Sequence, residues 1–423
     1  MQLSKPRIVI IGAGFGGLKL AKSLRNTKFE VILIDKNNHH LFQPLLYQVA
    51  TAGLSPGDIA QAIRTELRSN KNIQVIKDEV ISIDKTNKTI SLKKGQLDFD
   101  YLVLAPGNQP FYFKKEWEEY APGLKNLYDA VKMREKILNS FDLAERNYKN
   151  TELYKKYTRF VIVGGGPTGV ELAGAISEIA RKTILKDYPL INEKDIEIYL
   201  IEGAAHLLNS YDDSLSEYTK DTLESMGVQV LTNTFVKNIN ENGVEIEGKI
   251  INAANVIWAA GNIASPLLKT LDIELDRLGR AIINKDLSIP NYENIFVIGD
   301  AAAYQDKEGK YLPGIAQVAI QMGVFLSKQF KNINDNEKRK KAKFEYNDKG
   351  NMATIGRAKA IFQKNNFKLK GFSAWFLWGI IHIFFLIDFR NRLKVMLEWF
   401  WYYVTFKPGA NIIFHNLENE KKK

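Results

Sequence analysis

The chain has 423 residues, 45% of them hydrophobic and 25% charged, the composition of an ordinary globular protein with room for two or three domains. It contains no cysteine, which excludes disulfides, thiolate metal sites and every thiol-based mechanism. A net charge of +11 suits an anionic partner, and nucleic acid, acidic lipid and an anionic cofactor all qualify at this level.

The opening "MQLSKP" runs straight into the β-branched "RIVIIG", without the basic region, apolar run and small-residue site of an export signal, so no export is expected. "RIVIIGAGFGGLKLAKSL" predicts a strand, a glycine turn and a helix, with Gly12, Gly14 and Gly17 forming G-x-G-x-x-G at the turn. Glycine lets the backbone turn tightly and approach a pyrophosphate, whose charge meets the positive end of the helix. About twenty residues on, the strand "EVILID" ends in Asp35, placed to accept hydrogen bonds from ribose hydroxyls. His39 and His40 follow, but no further ligands stand at useful spacing, and no metal site is expected. A strand ending in "YLVLAPG" (Tyr101 to Gly107) closes this unit.

About 150 residues after the first loop, "RFVIVGGGPTGVELAGAISEIA" repeats the grammar with Gly164, Gly166 and Gly169, an internal repeat of a supersecondary unit. Its acid is Glu202, closing "DIEIYLIE" after a longer intervening segment. An acid here favours the free 2′-hydroxyl of NAD and repels a 2′-phosphate, and no arginine adjoins Glu202, so NADH is preferred over NADPH. Glu171 falls in the first turn after this loop, where it either favours the helix dipole or contacts the reacting end of a bound nucleotide. "NVIWAAG" (Asn255 to Gly261) closes the second unit as "YLVLAPG" closes the first. Two complete sites imply two nucleotides in one chain, most economically FAD as fixed redox group and NADH as exchangeable donor. Hydride transfer needs positioning and little side-chain acid–base chemistry, which accords with the lack of a catalytic triad.

"NIFVIGD" (Asn294 to Asp300) precedes "GIAQVAIQMG", where Gln317 and Gln321 stand four apart on one face of a predicted helix. Two uncharged amides there suit an apolar acceptor bearing carbonyls, although a helix merely satisfying buried hydrogen bonds is the plain alternative. After Phe330 comes a basic linker, "KNINDNEKRKKAK", and from Phe372 an aromatic tail. Phe372 to Ile387 would span about 24 Å as a helix, short of a hydrocarbon core of roughly 30 Å. A transmembrane span, a buried or dimer-interface helix, and a pair of helices lying in the membrane interface are the readings. The last fits best, with aromatics at headgroup level and Arg390, Arg392, Lys394 and the terminal lysines toward anionic lipid. No recognisable nucleic-acid module is present, and none of that class of partner is expected.

Taken together, these stretches resemble the two-dinucleotide-binding-domain flavoproteins and, within them, the type II NADH:quinone oxidoreductases, single-subunit enzymes that do not pump protons. The resemblance covers nearly the whole chain and rests on "GAGFGG", "HHLFQPLLYQVATAGLSP", "LVLAPG", "GGGPTGVELAG", "IWAAG", "FVIGDAAA", "AQVAIQ" and "GRAKA", in order. It implies an α/β fold with two Rossmann-like dinucleotide-binding domains, for FAD and NADH, plus a C-terminal amphipathic-helix membrane-anchoring region. The expected boundaries are 1–115 and 269–330 for FAD, 116–268 for NADH, and 331–423 for membrane association.

The resemblance places FAD on Gly12, Gly14, Phe15, Gly16, Gly17, Asp35, Lys36, Gln43, Pro44, Ala105, Gly107, Ala316 and Gln317, with Asp300 on the ribityl chain and "QPLLYQVA" beside the isoalloxazine. It places NADH on Gly164, Gly166, Pro167, Thr168, Gly169, Glu171, Glu202, Ala260 and Gly261. Glu171, Gln317 and Gln321 would serve the reacting nicotinamide and quinone. "LAPG" departs from the commoner "LATG" through Pro106. The missing cysteines separate the chain from disulfide reductases, NADH peroxidases and sulfide:quinone oxidoreductases. The expectation is a peripheral enzyme on the cytoplasmic face of the cell membrane, a homodimer, passing electrons from NADH through FAD to menaquinone or ubiquinone. A soluble NADH-dependent reductase of another acceptor, and an NADH-sensing protein of the apoptosis-inducing-factor type, are the alternatives.

Overall fold

The computed structural model describes residues 5–333, 342–386, 389–405 and 412–413. The core of the basic linker (334–341), the terminal lysines and the Arg390 side chain lie outside the described residues. In chain order the main elements begin with β1 (Arg7–Ile11), α1 (Phe15–Ser23), β2 (Glu30–Asp35), α2 (Leu46–Ala50), β3 (Ile73–Lys77) and β4 (Tyr101–Leu104). Then follow α3 (Leu127–Arg146), β5 (Arg159–Val163), α4 (Pro167–Glu178), β6 (Glu197–Ile201), α5 (Asp213–Ser225), β7 (Val228–Leu231) and β8 (Asn255–Trp258). The last third holds β9 (Ser288–Ile289), β10 (Tyr292–Val297), α6 (Ala316–Lys331), β11 (Asn351–Gly356), β12 (Lys359–Lys364) and β13 (Phe367–Gly371). Two helices, α7 (Phe372–Phe385) and α8 (Phe389–Thr405), end it.

The chain forms two compact units. The first comprises Met1–Leu41, Ala60–Gln109 and Asn262–Lys349. Its six-stranded sheet runs β9-β10-β4-β1-β2-β3. β1 pairs in parallel with both β2 and β4, so its Val/Ile run is buried on both faces, as a central parallel strand requires. α6 packs on α1 at glycine: a Cβ on Gly323 would lie 2.6 Å from the Gly16 carbonyl oxygen.

The second unit comprises Phe42–Ile59, Pro110–Gly261 and Gly350–Lys423. Its parallel sheet runs β7-β6-β5-β8. The repeat read from the sequence extends to register. Ile11 at the end of β1 stands beside Ile34 and Leu104, and Val163 at the end of β5 beside Ile201 and Trp258. Each unit also inserts a three-stranded antiparallel meander, Val80–Asp98 and Asn238–Asn252, before its closing strand.

The units divide the chain elsewhere than the expected boundaries. Residues 42–59, expected with 1–115, belong to the second unit, and so does everything from Gly350. Long-range packing is the reason. The Asp58 carboxylate, 2% exposed, pairs with Lys394 at 2.5 Å and accepts the Ser55 amide at 2.7 Å. α4 lies against β11 so closely that a Cβ on Gly174 would sit 1.7 Å from the Ile355 carbonyl oxygen.

No helix among the described residues is long and apolar enough to cross a membrane. α7 instead exposes Phe372, Phe376, Ile380 and Phe384, spaced four apart and each more than half exposed. α8 exposes Leu393, Met396, Leu397, Phe400 and Trp401. Their inner faces bury Ala374, Trp378 and Val395, and Trp378 stacks between His382 at 4.3 Å and Trp399 at 5.3 Å. Burial pushes His382 down to about 4, which keeps its ring neutral.

Candidate active site

The first glycine loop is shaped by close backbone approach. Gly12 has φ +98°, its amide donates to the Ile34 carbonyl at 2.8 Å, and a Cβ there would meet the Ala105 carbonyl oxygen at 2.2 Å. A Cβ on Gly17 would lie 1.9 Å from the Gly12 carbonyl oxygen, so α1 can start only from glycine at that position. Gly14, in contrast, faces open space, with no atom within 4 Å of its absent Cβ. That opening lies at the N-terminus of α1, where unsatisfied amides favour a phosphate. Asp35 braces the loop: one carboxylate oxygen accepts the Ala13 amide at 2.7 Å and the other the Asn37 amide at 2.7 Å. Burial raises the Asp35 carboxyl above the usual carboxylate range, and those two amides pull it back. Lys36 is exposed beside it.

The second loop repeats this geometry. Gly164 has φ +112° and donates to the Ile201 carbonyl at 2.8 Å, and a Cβ on Gly169 would lie 1.8 Å from the Gly164 carbonyl oxygen. Gly166 again faces open space at the N-terminus of a helix, here α4 with Pro167 at its first position and Thr168 exposed. Glu202 accepts the Gly165 amide at 2.6 Å and the Ala204 amide at 2.8 Å, the counterparts of Ala13 and Asn37. The strand-closing glycines Gly107 and Gly261 also match, at φ +70° and +92°, after Ala105-Pro106 and Ala259-Ala260. Each carboxylate oxygen retains a lone pair beyond its amide, so both cradles fit a dinucleotide's pyrophosphate and ribose.

On α4, Glu171 lies one turn behind the second loop. Burial pushes its carboxyl up to about 8, against the opposing pull of the Thr354 amide. It is therefore largely protonated at neutral pH, unlike an acid merely decorating a helix dipole, and Tyr211 is raised partly by its charge. Gln43 and Pro44 form a turn ahead of α2, and Gln43 Nε2 donates to the Lys125 carbonyl at 3.3 Å. They share the second unit with Glu171, not the first unit with the Gly12 loop.

The first unit gathers the other candidates. Asp300 is half-buried in the turn after β10, with Gly314 directly against its carboxyl. Ala316 opens α6, whose N-terminus has no side-chain cap. Gln317 and Gln321 are both partly buried on α6, but Gln321 has a backbone task. Its Nε2 donates to the Asn347 carbonyl at 2.9 Å and its Oε1 accepts the Asn347 amide at 3.0 Å, pinning the segment that follows the linker.

Two supporting groups escaped the sequence reading. His40, buried, donates Nδ1–H to the Ala13 carbonyl at 2.7 Å and packs edge-on against Phe15, holding the loop from its far side. Burial lowers its pKa, consistent with a neutral ring. Thr354 at Glu171 is the other, and only its place just before "GRAKA" marked it. Among the described residues no three His, Asp or Glu are grouped to hold a metal.

A family model described as "Pyridine nucleotide-disulphide oxidoreductase" matches residues 6–323. The chain is 38% identical over 411 residues to the type II NADH:quinone oxidoreductase NdhA of Mycobacterium tuberculosis, covering 93% of this chain and 86% of that protein. It is 36% identical to the type II NADH:quinone oxidoreductase Ndh of the same organism, covering 95% and 89%. The fold matches a solved structure of NDH2 from Plasmodium falciparum in complex with NADH at a TM-score of 0.89, with 23% identity over 96% of this chain and 99% of that one. With two equivalent cradles and this likeness along nearly its whole length, the chain belongs to the pyridine nucleotide-disulphide oxidoreductase family and, within it, to the type II NADH:quinone oxidoreductases.

Proposed function

We propose that this chain oxidises NADH and reduces a membrane quinone, NADH + H⁺ + quinone → NAD⁺ + quinol, with FAD between the two. The observation that carries the reading is the duplicated cradle in a chain without thiols: there is room for two nucleotides, and no dithiol is there to accept electrons. FAD, held by the Gly12 loop and Asp35, supplies hydride acceptance and electron transfer. The Gly164 loop and Glu202 bind and orient NADH, and Glu202 disfavours the 2′-phosphate of NADPH. Asp300, Ala316 and the Gly107 turn complete the FAD site, and Gln317 donates to a quinone carbonyl. Glu171 holds a proton at neutral pH and releases it to a quinone oxygen as the quinone is reduced to quinol.

The exposed apolar stripes of α7 and α8 lie in the membrane interface, so the protein is peripheral, drawn to an anionic cytoplasmic surface by its positive charge. The family resemblance adds a homodimer, checked by light scattering. Stopped-flow separation of the half-reactions tests the whole reading, with menaquinone and ubiquinone analogues compared. Purified protein without a flavin spectrum, or flavin bleached by NADH that neither quinone reoxidises, refutes it. Flotation with anionic vesicles tests the membrane role: Phe376→Ser with Phe400→Ser should reduce vesicle binding about tenfold or more, and binding unchanged by both substitutions would overturn it.

A further inference from the structure

A hydrogen-bonded run crosses the second unit from helix α8 to Glu171. Trp399 donates Nε1–H to Gln48 Oε1 at 2.8 Å, and Gln48 Nε2 donates to the Tyr47 hydroxyl at 3.0 Å. The Tyr47 hydroxyl meets Thr354 Oγ1 at 3.0 Å, and the Thr354 amide holds the Glu171 carboxyl. An indole N–H can only donate, and this sets the sense of the run. Gln48 turns its oxygen to Trp399 and its amino group to Tyr47, so the Tyr47 hydroxyl accepts from Gln48 while it shares a hydrogen bond with Thr354 Oγ1.

Thr354 stands where β11 bulges. The register with β12 shifts between Thr354 and Gly356, and Ile355 is skipped. One face of α4 is fitted to that bulge by residues at i, i+3 and i+7. Glu171 takes the Thr354 amide, the bare Gly174 admits the Ile355 carbonyl, and Glu178 takes the Arg357 amide. Tyr211, just before α5, is the titratable group whose ionisation is coupled to Glu171. Tyr47 approaches from α2, while Glu178 and Arg357 meet at the far end of the contact.

We propose that Trp399, Gln48 and Tyr47 are positioning residues that transmit the seating of the lipid-facing helix α8 to the Glu171 carboxyl through Thr354. The proposal rests on Glu171 being the proton donor for quinol formation. A helix resting in the interface presents Trp399 at a defined depth, and displacement of α8 withdraws the donor that orients Gln48. The bulge then relaxes and the Thr354 amide shifts against the acid.

The test uses full-length, flavin-loaded protein, with the pH profile of kcat for a soluble quinone and stopped-flow flavin reduction by NADH as readouts. Trp399→Phe keeps a ring and removes the N–H. Trp378→Phe is the matched control, because its ring stacks on Trp399 but its buried indole N–H meets no acceptor among the described residues. Trp399→Phe and Tyr47→Phe should each move the alkaline limb by about half a pH unit or more and slow quinone reduction about two- to tenfold, and Trp399→Phe should do so with flavin reduction unchanged. Trp378→Phe should leave the limb in place. Anionic phosphatidylglycerol vesicles should shift the limb of the wild type but not that of Trp399→Phe.

If Glu171→Gln removes the limb while Trp399→Phe and Tyr47→Phe leave it in place, the acid keeps its role and the positioning run is refuted. If Trp378→Phe shifts it equally, or the vesicle response survives Trp399→Phe, ring packing is the cause and the proposal is overturned. If Glu171→Gln leaves the profile unaltered, the reading of the acid fails, and the run falls with it.

Discussion

Glu171→Gln isolates the buried acid, because glutamine keeps the shape and cannot ionise. The folded protein holds a proton at Glu171 up to about 8, where an exposed glutamate releases it near 4.5. Between those values the folded state binds more protons than the unfolded one, so stability falls as pH rises through the window. The contribution is complete below the unfolded value and lost above the folded one. The difference corresponds to about 5 kcal/mol at 1.36 kcal/mol per pH unit. Glu171 as a residue is partly exposed, and solvent relaxation around it brings the effect to on the order of 2–3 kcal/mol. Thermal unfolding of both proteins from about pH 5 to pH 9 reads it, at roughly 2–4 °C per kcal/mol for a large domain. The two should melt together at the acid end, and the variant should melt several degrees higher at the alkaline end. A difference that is constant with pH, or a variant less stable at the alkaline end, would refute burial as the cause.

Glu202→Gln removes the charge that braces the Gly165 and Ala204 amides, so KM for NADH should rise about ten- to a hundredfold, with the preference over NADPH narrowed; steady-state kinetics with both nucleotides measures it. Gly323→Ala drives a methyl into the Gly16 carbonyl and should cost about 1–3 kcal/mol, seen as lower flavin content and an earlier melt. Lys394→Met leaves the Asp58 carboxylate buried with the Ser55 amide as its remaining partner among the described residues, destabilising by about 2–4 kcal/mol in denaturant titration, and adding Asp58→Asn should recover most of it. Gln317→Leu should slow quinone reduction while flavin reduction by NADH stays nearly intact; Gln321→Leu should instead loosen the segment at Asn347 and cost about 1–2 kcal/mol without separating the half-reactions.

The glycine loops were legible because their determinants are local: a β-branched strand, glycines at fixed spacing, and an acid closing the next strand. Register followed, since each loop fixes how its strand sits between two neighbours. The partition of the chain was not legible. Residues 42–59 join the second unit through contacts such as Asp58 with Lys394, 336 residues apart, and no local pattern announces such a pair. The tail was legible as a run of aromatic and aliphatic residues followed by basic ones, but the stacking of the buried Trp378 on Trp399 was not. The glutamines divide the same way. Helical spacing puts Gln317 and Gln321 on one face, yet the partner of Gln321 is backbone brought back by a later segment.

The acids in the two cradles sharpen this distinction. Read from sequence, Asp35 and Glu202 are ribose acceptors; in the structure each is first a brace, accepting the amide of the residue after the loop's first glycine. The same brace is made by side chains that differ by one methylene, and the loops compensate. Opposite Asp35 stands Ala13, whose methyl is buried without conflict. Opposite Glu202 stands Gly165, where a Cβ would lie 3.0 Å from both the Glu202 Cβ and Oε2, and 2.5 Å from Leu207. The change from "GAG" to "GGG" is thus matched to the change from aspartate to glutamate. The middle residue of the second loop is fitted to its surroundings, with the Glu202 brace and, closer still, Leu207 leaving no room for a side chain at Gly165.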